Sequence, residues 1–369
     1  LAREGDYHLS LLRKRYNENA LPQVSLVDMR QELKQGNYTS ISCRLYEEIQ
    51  KNLELGQQTI LFLNRRGNSR QMVCPGCGYV PQCPRCSVNL TYHSANRRMM
   101  CHYCGYSEPF APDCPQCGEP FKPIGSGTQK VEQELRELFP ETPILRMDAD
   151  SVGTQHEKML QKFEKERIPI LLGTQMVAKG LDMPNVTLVG VLDADLSLFT
   201  GGFRAGETTF DMLTQVVGRA GRGSFAGRAI LQTMVPNHEL IRLAAQQDYD
   251  RFYDLEIRLR QVQHVPPFAD QVLIGFQGLQ EPQVLMGAAK FRDSLLQLQR
   301  SGNFGPMELL GPAPSPVPKI NYQFRYRLTL RCRMEKNIRA ALGYLLCAFG
   351  KDSKMRGVSA FIDVNGFMD

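Results

Sequence analysis

The 369 residues carry 44 Lys and Arg against 38 Asp and Glu, a formal net charge of +6 and a pI near 8.7. That balance points only weakly to a polyanionic partner, so local arginine patterning has to say more. The length allows two or three domains with full cores; no run of about eighteen apolar residues is present to span a membrane, and no signal peptide, lipidation signal or fold-level repeat is found.

Residues 1–22 read as a tail, one short apolar run and then a polar linker. From Val24 the pattern is α/β. VSLVDM is a short strand, and Ile41, Leu45, Ile49 and Leu53 recur at i+4 on a helix. TILFLN (Thr59–Asn64) is nearly continuous in apolar residues, as a strand buried on both faces should be. Arg65, Arg66 and Gly67 then lead into a cysteine-rich stretch, Cys74 to Cys117.

Eight of the eleven cysteines fall in that stretch as four C-x-x-C pairs. Such a turn lets two thiolates converge on one ion, and eight thiolates suffice for two closed tetrahedral zinc sites. Cys86 to Cys101 leaves a zinc-ribbon spacing, whereas Cys77 to Cys83 is short for two knuckles to face one ion. A nested arrangement follows. Cys83, Cys86, Cys101 and Cys104 form an inner site, and Cys74, Cys77, Cys114 and Cys117 an outer one; sequential pairing is the alternative. A disulfide framework belongs to secreted chains, and nothing here suggests secretion. His102 is not needed as a ligand. Leu90–His93 and Arg97–Met100 are expected to form a hairpin with Arg97 and Arg98 near its tip, and Tyr92, His93 and Tyr103 nearby. The isolated Cys43, Cys332 and Cys347 sit in apolar patterns and are expected to be buried thiols in a reducing cytoplasm.

After the cysteines the α/β rhythm resumes. A helix is expected from near Thr128, then a strand at ILRMD and a helix opened by the capping box Thr154–Glu157. Strands follow at IPILLGT and VTLVGVLDA, a helix over roughly 207–219 and a strand at RAILQTM. One parallel-sheet domain therefore covers 23–70 and 121–240, with a module at 71–120 inserted after a strand. A long charged helix is expected from Asn237 to about His264, so that 241–267 connects to a second domain. Residues 268–369 there read strand, helix, strand, strand, helix, strand: an α+β, ferredoxin-like βαββαβ order. Within it Gly311–Pro318 (GPAPSPVP) reads as a rigid turn or connection. In QFRYRLTLRCR, alternation puts Arg325, Arg327, Arg331 and Arg333 on one strand face, spaced by multiples of about 6.6 Å, as a phosphate backbone could use. Lys319 and Tyr322 extend that patch.

Gln215-Val-Val-Gly-Arg219-Ala-Gly-Arg222 resembles motif VI of superfamily 2 helicases. Gly173–Asp182 (GTQMVAKGLD) resembles motif V, and TILFLNRRG motif IV. The resemblance implies a RecA-like second lobe in which Arg222 is the arginine finger, with Arg219 beside it and Gln215 near the phosphates of ATP. It places Gly180 and Asp182 against the nucleotide, and Thr174 on a nucleic-acid phosphate. A near-match to a phosphate loop, Gly201–Thr208, fails because Glu207 stands where a lysine is required. No true phosphate loop and no D-E-x-[HD] box occur, so the first lobe is expected to lie outside this sequence.

Four C-x-x-C pairs inserted after motif IV, together with VLDAD, FRAGE, PPF at Pro266–Phe268 and the late LGPAPSP, are similar to the primosomal protein N′ family, the replication-restart helicases of bacteria. Small departures occur at Leu181, Met183 and Gln129. The resemblance covers essentially the whole chain. It implies the C-terminal part of an ATP-dependent 3′→5′ DNA helicase, lacking an N-terminal DNA-binding region and the first lobe. Two structural zinc ions are implied, with ATP and Mg2+ in the full-length protein. The implied partners are forked, single-stranded and duplex DNA, single-stranded DNA-binding protein, primosome proteins and the replicative helicase. The implied place is the bacterial cytoplasm at the nucleoid. This piece alone is expected to be inactive as an ATPase. The alternative is a non-enzymatic zinc-ribbon DNA-binding or scaffold protein on a degenerate RecA-like fold.

Overall fold

The structure, a computed structural model, describes residues 5–8, 10, 21–64, 71–74, 76–93, 97–101, 103–124, 128–147, 156–174, 183–199, 202–301 and 304–366. In chain order the described elements begin with β1 (Gln23–Asp28), α1 (Met29–Lys34), α2 (Cys43–Glu54) and β2 (Gln58–Leu63). The cysteine region holds β3 (Gln71–Val73), β4 (Thr91–His93), β5 (Arg98–Met100), β6 (Ser107–Pro109) and β7 (Lys122–Ile124). Then come α3 (Thr128–Leu138), β8 (Ile144–Met147), α4 (His156–Lys165), β9 (Ile170–Gly173), β10 (Val186–Leu192), α5 (Ala205–Val217), β11 (Arg228–Thr233), α6 (Glu239–Gln246) and α7 (Tyr249–Val262). The last stretch is β12 (Asp270–Gly278), α8 (Glu281–Ser301), β13 (Met307–Ile320), β14 (Gln323–Cys332), α9 (Lys336–Lys351) and β15 (Val358–Val364).

The chain divides into two compact units. The first comprises Leu1–Asn68, Ser126–Thr200 and Arg204–Tyr253. Its sheet runs β1-β11-β10-β2-β9-β8, and every pairing is parallel. β2, β9 and β10 are buried along their whole length, which is why their sequences are apolar runs rather than alternations. Leu61, Leu63, Leu188 and Leu192 join Leu45 and Ile49 of α2 and Val131 and Leu135 of α3 in one core. Ile60, Phe62, Val189 and Val191 alternate to the opposite face and are buried too. Near the start of β11, buried Glu48 of α2 is held by Arg228 at 3.1 Å, Arg44 at 3.0 Å and Lys51 at 3.3 Å.

Because the strands are parallel, their carboxyl ends meet at one edge, where such sheets carry ligands. Asn64, just after β2, donates to the Asp193 carbonyl at 3.2 Å and accepts from Ser197 Oγ at 3.0 Å. Asp195 accepts from the Met234 N–H at 3.2 Å. The VLDAD segment thus braces the ends of β2, β10 and β11.

The expected single helix over 241–267 is two. Gln247 adopts left-handed φ of 54° and closes α6, and the Asp248 carboxylate then accepts from the Arg251 N–H at 3.1 Å to start α7. The helix expected over 207–219 is α5, two residues earlier at each end.

The second unit comprises Ser69–Gly125, Gly201–Phe203 and Asp254–Asp369. The cysteine region, inserted in sequence between β2 and α3, therefore belongs with the C-terminal domain. That domain is a ferredoxin-like sheet, β13-β14-β12-β15, antiparallel throughout. α8 and α9 cover one face, where Phe276, Phe291 and Phe349 meet edge-on.

Two expectations are corrected here. Gly311–Pro318 is not a turn but part of β13. It is an edge strand, where a missing N–H costs no ladder bond that a neighbour needs; its pairing with β14 slips between Leu310 and Ala313 and again between Pro314 and Lys319. Of the three isolated cysteines only Cys332 is buried, and burial pushes its thiol up to about 11. Cys43 and Cys347 are exposed. The buried stripe of α9 is Ile338, Leu342, Leu345 and Phe349, and Cys347 falls off it.

Candidate zinc centres and nucleic-acid interface

The structure brings the eight cysteines together in two groups, Cys74/Cys77/Cys114/Cys117 and Cys83/Cys86/Cys101/Cys104, with the four sulfurs of each group within 4.8 Å of one another. This is the nested arrangement. Contacts of 3.2 Å for Cys74–Cys117, 3.6 Å for Cys77–Cys114 and 3.7 Å for Cys83–Cys104 fit a tetrahedral ion at about 2.3 Å from each sulfur, for which S···S is about 3.8 Å. The chemistry of the set agrees. Burial pushes the Cys86 thiol up to about 12, against the pull of the Asn321 N–H and with three crowding thiols adding to the rise. Burial also opposes ionisation of Cys74, but the Cys77 N–H and neighbouring thiols bring it down to about 7. Four thiols so close cannot all ionise without a cation, and a zinc ion removes that conflict.

Each knuckle has a backbone frame. In three of them the residue after the second cysteine is a glycine at positive φ: Gly78, Gly105 and Gly118. Their N–H groups return to the carbonyls of Cys74, Cys101 and Cys114 at 2.9, 3.0 and 2.9 Å. The fourth knuckle, Cys83–Cys86, is followed by Ser87 instead. Its N–H goes to the carbonyl of Lys319, in the C-terminal domain, at 2.9 Å. The β13–β14 turn, with Asn321 and Tyr322 both at positive φ, completes the frame. Asn321 N–H donates to Cys86 Sγ at 3.1 Å, and Tyr322 N–H to the Arg85 carbonyl at 2.7 Å. Ile320 packs on the module's core, and the Arg85 guanidinium stands 5.2 Å from the Tyr106 ring and 5.9 Å from that of Tyr322. These contacts escaped the sequence reading, although a serine where three sister knuckles carry glycine was a visible signal.

β4 and β5 pair as the expected hairpin. Arg97 is exposed at positive φ, whereas Arg98 is pinned by bonds of 2.6 and 3.0 Å to Ser107. Tyr103 is exposed. His102 lies outside the described residues.

In the first unit, Gln215 lies exposed on α5, and Arg219 and Arg222 are half-buried just beyond its end. Arg222 Nε donates to the Gly218 carbonyl at 3.0 Å. Two glycines of this segment have no alternative. Gly221 has φ of 69° with the Gly227 backbone against it, and a Cβ on Gly223 would stand 2.3 Å from the Pro184 carbonyl oxygen. The arginines are thus set on a turn fixed by backbone packing. Thr174 follows β9 at the carboxyl edge. Gly180 and Asp182 lie outside the described residues.

On β14, Leu328 and Leu330 are buried against the helices, so Arg325, Arg327 and Arg331 face the open side of the sheet. Arg331 pairs with Glu308 at 3.1 Å. Lys319 stands 5.8 Å from the Tyr322 ring and 5.1 Å from Phe324. No described helix is long and apolar enough to cross a membrane.

Three family models match the chain. The PriA DNA helicase Cys-rich region (CRR) domain covers residues 83–109, the Helicase conserved C-terminal domain 125–224 and the Primosomal protein N C-terminal domain 261–366. Replication restart protein PriA of Bacillus subtilis (strain 168) is 41% identical over 371 residues, covering 100% of this chain and 46% of that protein. The protein of the same name from Synechocystis is 37% identical over 334 residues, 88% of this chain and 39% of that one. That of Haemophilus influenzae is 34% identical over 353 residues, 95% and 47%. The chain spans about half the length of the curated relatives it matches.

Proposed function

The chain belongs to the replication restart protein PriA family, and on that premise we propose that it supplies the second motor lobe, the zinc module and the C-terminal DNA-binding domain of an ATP-dependent 3′→5′ DNA helicase. The helicase unwinds stalled forks and initiates primosome assembly in the bacterial cytoplasm. The observation that carries this is the motif VI segment: two arginines set on a turn whose glycines are fixed by backbone contact, immediately after α5.

In this reading ATP and Mg2+ bind with a first lobe, and Arg222 reaches the γ-phosphate when the lobes close. Hydrolysis spreads charge over the phosphoryl oxygens, and a guanidinium there stabilises it only as it develops. The bond from Arg222 to Gly218 orients the root of that guanidinium. Arg219 and Gln215 assist at the phosphates. Gly180 and Asp182 meet the nucleotide, and Thr174 holds a phosphate of the tracked strand. The two zinc ions are structural, each tying two knuckles together. The module they hold, with Arg325, Arg327 and Arg331 on the sheet, engages DNA and partners such as single-stranded DNA-binding protein and the replicative helicase.

The test compares this chain with the full-length protein. DNA-stimulated ATP hydrolysis is expected from the full-length protein and not from residues 1–369 alone. Hydrolysis by the chain alone contradicts the two-lobe reading, and a full-length protein that binds forks without hydrolysing ATP supports a scaffold instead.

A further inference from the structure

We propose that the open face of the C-terminal sheet holds a slot for one unpaired base of single-stranded DNA, with the Phe361 ring as its stacking platform and Arg325 and Arg327 on the flanking phosphates. This deepens the reading above and rests on it for the arginine face.

Register places the residues. Gly275 of β12 stands between Arg327 of β14 and Phe361 of β15, and one step along Gln277 stands between Arg325 and Ser359. Val272, Ile274 and Phe276 of β12 fill the helical side, so Leu273, Gly275, Gln277, Phe361 and the arginines share the other. A Cβ on Gly275 would come within 2.2 Å of the Phe361 ring. The far edge of the ring therefore covers the glycine, and the residue remains 41% exposed. An aromatic ring seated on a sheet and partly open to water is what a nucleobase stacks on, as in sheet-based recognition of single strands.

The slot has a wall. Ser315 and Pro316, in the stretch where β13 slips against β14, line it together with Leu273, Phe361, Arg325 and Arg327. The Pro-rich segment thus gains a role that its place in an edge strand alone does not explain. Of the carboxylates placed on this face, Glu308 is opposite Arg331, which it pairs, and Asp363, opposite Leu273, is the next same-face residue along β15 from Phe361. A ring for a base and two guanidiniums for its flanking phosphates select single-stranded DNA over a duplex, whose bases are already stacked.

The experiment uses the full 369-residue chain with oligothymidine and with an abasic oligonucleotide of the same length, titrated at several salt concentrations. Photocrosslinking from a 5-iodouracil-substituted strand locates the binding face. Phe361→Ala is expected to weaken oligothymidine binding about tenfold, leave abasic binding and the salt slope unchanged, and abolish a crosslink to the β15 peptide; Phe361→Tyr is expected to restore the oligothymidine affinity and the crosslink. Arg325→Ala and Arg327→Ala are expected to weaken both ligands and lower the salt slope, by about 0.7 for each phosphate no longer neutralised. If Phe361→Ala weakens neither ligand, or both equally, or if no crosslink reaches β15, the slot is overturned while the arginine face stands. If the arginine variants change neither affinity nor slope, the arginine face itself fails, and the slot with it.

Discussion

Replacing Asn321 by proline tests whether the C-terminal domain completes the inner zinc site. Asn321 has φ of 48° and donates its N–H to Cys86 Sγ at 3.1 Å. Proline removes that donor and requires φ near −65°, so the adjoining bonds from Ser87 to Lys319 and from Tyr322 to Arg85 loosen as well. A hydrogen bond to a charged acceptor contributes about 1.5–3 kcal/mol, and loss of an outer-sphere partner costs about 10–100-fold in metal affinity. These ranges meet near 2 kcal/mol, or about 30-fold. The assay is a chromophoric chelator chase on the full chain, with the outer site as internal reference. One zinc is expected to leave about 30-fold more readily and the other as in the parent. Asn321→Gly, which keeps both the N–H and the positive φ, is expected to behave as the parent. Identical release of both ions from the proline variant would refute the reasoning, as would equal acceleration of both.

Metal analysis is expected to find two zinc ions per chain, falling to one in Cys77→Ser/Cys117→Ser with the inner ion retained; loss of both ions would mean that the sites are not independent. Arg228→Met leaves the buried Glu48 carboxylate to two half-exposed cations. It is expected to cost about 2 kcal/mol, less than the 3–5 of a wholly orphaned buried charge, read by denaturant unfolding; an unchanged midpoint would count against the pair. Burial alone would raise the Glu32 carboxyl, but the Cys43 N–H and the Asn37 side chain outweigh it and hold the group below its ordinary 4.5. A lowered carboxyl stabilises above that value and loses the contribution as pH falls through the folded-state value. Glu32→Gln is therefore expected to be less stable than the parent at pH 7, with the gap closing below about pH 4.5; a gap constant with pH would remove the charge from the explanation.

The α/β and α+β patterns and the cysteine pairing were legible because each rests on local periodicity or spacing. Buried parallel strands must be apolar throughout, as in Val186–Leu192, and two zinc knuckles need enough chain between them to face one ion, which Cys86–Cys101 has and Cys77–Cys83 lacks. Alternation likewise placed Arg325, Arg327 and Arg331 opposite buried Leu328 and Leu330. What stayed hidden depends on distant partners or on a single backbone angle. The Cys86–Asn321 contact joins residues 235 apart in sequence. The helix break at Gln247 depends on one left-handed residue with no glycine to mark it. The Pro-rich run looked like a turn because its edge position, which makes proline tolerable, is a property of the sheet order.

The central claim, that this chain completes an ATPase site with Arg222, is tested most directly by Arg222→Ala in the full-length protein. A transition-state arginine is worth about 10³–10⁵ in turnover. DNA-stimulated kcat is therefore expected to fall at least about 10³-fold, with affinity for forked DNA and zinc content unchanged. Retention of turnover within about tenfold, a rise of only about 1.4 kcal/mol in the barrier, would contradict the account.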